Sequence, residues 1–187
     1  MSNEKLDIRN SVGAEVIRGG VNEETLKLKG RYTFECYGAD GKLKWADTIE
    51  NLVTTVGKND LLDKYIAGTT YTAAWYLGLK GVGTADIADT AASHITWLEV
   101  GGANAPAYSQ AARPTPTWSA AAAGAKATST AVVFSITSSG TVAGAFLSTV
   151  ATKDATTGIL FSAGDFTGGS KTVANGDSIN VSWSLSI

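Results

Sequence analysis

The sequence predicts an all-β fold: an antiparallel β-sandwich of jelly-roll type with one short helix and an extended N-terminal arm. Three observations predict it. Apolar and polar residues alternate with period two in several separated stretches, most cleanly over residues 178–187. Clusters of Gly, Asn, Asp and Ser divide those stretches at short intervals. Only residues 57–68 have both the apolar spacing and the end signals of a convincing helix. A chain of 187 residues suffices for one core. It divides into an arm, residues 1–29, and a sandwich domain, residues 30–187, interrupted by a long irregular excursion at about residues 81–127.

Residues 1–29 are polar and mixed in charge, with Gly13, Gly19 and Gly20 and no sustained period, which predicts an extended arm of low intrinsic order; the alternative is a tail with no role, and if the arm is ordered a neighbouring subunit is the expected cause. From Arg31 onward Tyr32, Phe34 and Cys36 alternate with Thr33, Glu35 and Tyr37, a half-buried strand. Gly38-Ala39-Asp40-Gly41 supplies turn chemistry, and Leu43 and Trp45 continue on the returning strand of a hairpin. The helix over 57–68 takes Asn59 as its N-cap and Gly68 as its stop. Leu61, Leu62, Tyr65 and Ile66 share one face, and Asp60 and Lys64 stand at i, i+4 on the wet side.

Tyr71, Ala73, Trp75, Leu77 and Leu79 share one parity and predict a strand with an aromatic inner face. Residues 81–127 contain Gly-Val-Gly, Gly101-Gly102, Arg113-Pro114-Thr115-Pro116 and an alanine run at 120–123. They read as an irregular excursion with a short helix near 89–94 and a strand piece at 95–100. Regular alternation returns with Val132, Phe134 and Ile136, then 143–147 and 158–162. The last strand places Ile179, Val181, Trp183, Leu185 and Ile187 on one face, after the tight-turn signal Asn175-Gly176-Asp177.

Composition narrows the function. A net charge of −2 and a pI near 5.4 provide no broad attraction to phosphate, which argues against nucleic acid as a partner. Eleven of the 15 Lys and Arg and eleven of the 17 Asp and Glu lie in residues 1–80, leaving the remainder almost uncharged. No run of about 18 apolar residues is available to cross a bilayer, and the N-terminus has no leader-like pattern, so the chain is expected in the cytosol of the cell that makes it. One cysteine, Cys36, rules out an intrachain disulfide, and one histidine, His94, rules out two-histidine metal sites.

No enzyme motif emerges. Nothing near His94 resembles a nucleophile elbow, and Cys36 shares the parity of Tyr32 and Phe34, which predicts packing. Asp86 with Asp89, or Asp154 with Asp165, are the carboxylate pairs available for acid–base or calcium chemistry. No motif draws either pair together, and the EF-hand pattern is absent. The glycine-rich pieces 78–83 and 164–169 match neither phosphate-binding fingerprint. Trp45, Trp75 and Trp183 fall on apolar strand faces, which leaves Trp97 and Trp118 as candidates for surface aromatic contacts. The expectation is a noncatalytic protein with no catalytic, cofactor or metal residues.

Three ordered segments carry a family resemblance: Asn51-Leu52-Val53-Thr54-Thr55-Val56-Gly57-Lys58-Asn59 with Leu61, Leu62 and Asp63; residues 71–79; and Val173-Ala174-Asn175-Gly176-Asp177-Ser178-Ile179-Asn180-Val181. Together they resemble small structural proteins of tailed-bacteriophage virions, described as capsid decoration (cement), head-fibre or tail-associated proteins. The resemblance spans roughly residues 30–187 and rests on structural segments alone. It implies a virion location and a noncatalytic role without choosing among these; the first reading is a capsid decoration protein on the virion surface, made in the host cytoplasm, with the major capsid protein as partner and a homotrimer as the favoured assembly. The arm and a rim of loops would clamp neighbouring capsid subunits, and the small-residue segment 101–127 would lie at the contact between copies. The alternative it implies is a tail or fibre component that recognises a host surface.

Overall fold

The computed structural model describes residues 27–66, 68, 70, 74–94 and 96–187. The described elements, in chain order, are β1 (Lys29–Tyr37), β2 (Leu43–Val53), α1 (Thr55–Tyr65), β3 (Tyr76–Lys80), β4 (Glu99–Val100) and β5 (Ala125–Ala127). They continue with β6 (Val132–Ser135), β7 (Gly140–Val142), β8 (Gly144–Ser148), β9 (Leu160–Asp165), β10 (Lys171–Val173) and β11 (Ser178–Ser186). The main sheet is antiparallel, in the order β4-β3-β8-β9-β2-β1-β11-β5 with β6 also on β11, and β7 and β10 form a separate ribbon. The all-β, sandwich-like class expected from the alternation is the observed one. The arm, up to residue 26, lies outside the described residues; its last residues already belong to the domain, since β1 starts at Lys29.

The sheet folds over on itself at β2. This strand pairs with β1 from Leu43 to Asn51, then with β9 through Leu52 and Val53 alone. In a flat sheet β9 and β11 would stand about 14 Å apart, three strand spacings. Yet Phe161 on β9 and Trp183 on β11 place their rings 6.1 Å apart, so the two halves face each other. Tyr32 on β1 spans the same gap, its hydroxyl 2.8 Å from Ser162 Oγ on β9. Burial pushes that phenol's pKa far above its ordinary range.

Between the halves lies one core. Tyr32, Phe34 and Cys36 of β1, Val132 and Phe134 of β6, and Ile179, Val181 and Trp183 of β11 meet Leu77 and Leu79 of β3 and Leu147 of β8. The alternation read from the sequence selects these inward positions. It overreaches at the strand ends: Leu43 and Ile187 are exposed, because each sits where pairing stops.

A second layer covers the outer face of β3, β8 and β9. Residues 81–94 and 96–98 run across it and bury Ala85, Ala91 and Trp97 against Phe146, Leu160 and Ala163. As a result β8 is buried at every position and β3 at every position after Tyr76. Gly78 makes room for this layer, since a Cβ there would stand 2.2 Å from the Phe146 ring.

Four expectations need correction. The helix begins at Thr55 with Thr54 as its N-cap, two residues before the predicted start and five before Asn59, while Gly68 with φ 67 does stand just past its end. The strand predicted from Tyr71 begins at Tyr76, with Tyr71 and Ala73 outside the described residues. No helix forms at 89–94; Thr90 and Ser93 exchange backbone hydrogen bonds in a turn. Of the strand piece at 95–100, Glu99–Val100 forms a strand and 96–98 do not, with Ile95 outside the described residues.

Candidate functional site

The helix α1 is seated by its first turn. Thr54 is fully buried; its Oγ1 accepts from the Gly57 N–H at 3.0 Å and donates to the Leu160 carbonyl, while its own N–H reaches the Phe161 carbonyl at 3.0 Å. Gly57 lies against the same strand, where a Cβ would come within 2.4 Å of the Phe161 carbonyl oxygen. These contacts set the helix rotation, and the outcome reverses the expected faces. Asp60 and Lys64 pair at 3.2 Å with side chains only 12% and 16% exposed, whereas Leu62, Tyr65 and Ile66 are 55%, 85% and 73% exposed. The polar pair is the covered side and the apolar residues are the open one.

Beside this bare face is a cleft of about 310 Å³, bounded by Leu61 of the helix and by Trp75, Trp118, Phe161, Trp183 and Lys126. Its rings form a chain of edge-to-face contacts: Trp75 on Phe161 at 5.2 Å, Phe161 on Trp183 at 6.1 Å, and Trp183 on Trp118 at 5.5 Å. Trp183 Nε1 is buried and has no hydrogen-bond partner among the described residues. An unmet donor of this kind costs about 1–3 kcal/mol.

Two buried ionic struts fasten the excursion to the sheet. Lys80, at the end of β3 and fully buried, meets Asp165 at 2.5 Å, with Gly144 between them in the strand register, and also bonds the carbonyls of Gly81 and Gly83. Desolvation lowers its pKa, opposed by the neighbouring carboxylate. Arg113 grips Glu99 with two hydrogen bonds and donates a third to the Val150 carbonyl at 2.8 Å.

The residues singled out from the sequence take these places. His94 stacks on Trp97 at 4.1 Å, with Nδ1 2.9 Å from the Trp97 carbonyl. Cys36 is buried, and its thiol is pushed up to about 11 by burial and then by Asp177. Asp86 and Asp89 do meet, as a turn in which Asp89 Oδ2 accepts the Asp86 N–H and the Trp97 indole N–H. Asp154 and Asp165 take separate partners, the Ala103 N–H and Lys80. Trp45, Trp75 and Trp183 pack on the core as expected. Trp97 overturns its reading as a surface aromatic, being only 2% exposed under the second layer. Trp118 is likewise packed on the core and borders the cleft.

Sequence reasoning passed over Lys80, Glu99, Arg113 and Lys126, since none stands in a motif. For Lys80 one signal was available, a charge closing the apolar run 77–79. Among the described residues no group of three or more His, Cys, Asp or Glu gathers, and no helix is long and apolar enough to cross a membrane. Compared with known proteins, the chain matches no family model and no curated protein.

Proposed function

We propose that this chain is a noncatalytic structural protein of a tailed-phage virion: a capsid decoration protein that binds the outer face of the major capsid protein shell and stabilises it. The observation that carries the reading is the bare apolar face of α1. Leu62, Tyr65 and Ile66 stand in solvent while a polar pair is sheltered, an arrangement that leaves large apolar side chains for a partner to cover. The family resemblance supplies the kind of partner.

Each contact can be modest, because a homotrimer, the favoured assembly, multiplies weak contacts through effective concentration. A protein that binds only the assembled shell stabilises it by linkage. The small-residue segment 101–127 is the proposed contact between copies, which sedimentation equilibrium tests directly. Electron microscopy of virions labelled with an antibody to this chain tests the location. Label over the whole head supports decoration; label confined to the tail overturns it and favours a host-recognition component.

A further inference from the structure

The cleft beside α1 combines two features, and Trp118 and Lys126 of its wall fall within the segment 101–127 proposed as the contact between copies. Its walls are aromatic and aliphatic, and Lys126 is the one charged residue among the described residues that line it. The Lys126 ammonium donates to the Ser119 carbonyl at 2.6 Å and, among the described residues, takes part in no ion pair. An ammonium has three donors, so one such bond leaves capacity for an anion. The cleft volume, about 310 Å³, is at the lower end of that of small-molecule sites.

We propose that this cleft is a binding site for an apolar organic anion, an aryl or alkyl carboxylate whose hydrocarbon part lies among Trp75, Trp118, Phe161 and Trp183 and whose charge meets Lys126. Charge complementarity selects this class. Among the described residues no carboxylate borders the cleft to neutralise Lys126, and a partly buried charge is screened less by water and salt than an open one. A saccharide fits worse, because its hydroxyls need several converging polar side chains and the wall offers Lys126 and one enclosed indole N–H. The site does not depend on a location on a virion, but it requires that Trp118 and Lys126 stay open where copies meet through 101–127.

Calorimetric titration of the full chain with 2-naphthoate and with its neutral isostere 2-naphthamide tests it. The carboxylate should bind roughly ten-fold more tightly, equivalent to about 1.4 kcal/mol. Lys126→Met, which keeps the aliphatic stem, should bring the two ligands to within about two-fold of each other. The proposal is overturned if neither ligand binds, if the parent chain binds both equally, or if the preference survives in Lys126→Met. Should that variant fail to fold, the parent decides: a preference that does not shrink with added salt overturns the proposal as well.

Discussion

Glu99 and Arg113 form a buried two-bonded ion pair, Nε to Oε1 at 2.9 Å and Nη2 to Oε2 at 2.7 Å, with side chains 3% and 4% exposed. Glu99 Oε2 also accepts the Asp154 N–H, so three separate stretches of chain are joined at one carboxylate. Removing either charge alone leaves its partner buried and unmatched. Glu99→Gln or Arg113→Met should each cost about 3–5 kcal/mol. The double variant should cost much less than the sum, read by urea unfolding of all four proteins in a double-mutant cycle.

Trp183 is a core residue with an unmet donor. Trp183→Ala should cost about 3–5 kcal/mol, the usual range for truncating a large aromatic in a core. Trp183→Phe keeps an aromatic ring and removes the rest of the indole, including an N–H that has no partner among the described residues, so it should cost clearly less than the Ala variant. A Phe variant as unstable as the Ala variant, read by urea unfolding, would overturn this ranking.

Cys36 links stability to alkaline pH. Its thiol ionises near 9.0 when unperturbed and near 11 in the fold, because burial and Asp177 disfavour the thiolate more than Lys44 favours it. The folded state therefore keeps a proton that the unfolded chain releases. This contribution is present in full below pH 9.0 and is lost as pH rises towards 11. Chemical denaturation across that window should show a fall in stability that is shallower in Cys36→Ala.

The exposed face of α1 should be dispensable for folding and required for attachment. Leu62→Glu with Tyr65→Glu changes residues that are 55% and 85% exposed, so thermal stability should shift by no more than about 0.5 kcal/mol per substitution. Co-sedimentation with empty phage heads should fall steeply. Binding that matches the parent would move the docking surface elsewhere on the chain.

The sequence alone determined what depends on near neighbours along the chain. The inward parity of Tyr32, Phe34 and Cys36, of Val132, Phe134 and Ile136, and of Ile179, Val181 and Trp183 is a consequence of a two-residue strand period. The turns at Gly41 and Gly176 follow from the residues themselves, both glycines taking positive φ. Tertiary structure decided what depends on partners distant in sequence. Which face of α1 is open was set by Thr54 and Gly57 resting on Leu160 and Phe161, about a hundred positions away, and no helical period encodes that rotation. The burial of Trp97 and Lys80 was decided by the layer laid over β3, β8 and β9, whose strands are covered on both faces, so that parity along them does not separate an inner side from an outer one. The pairing of Glu99 with Arg113 and the aromatic cleft exist only once the sheet has folded over at β2, because only then do side chains from separate strands and loops share one enclosed volume.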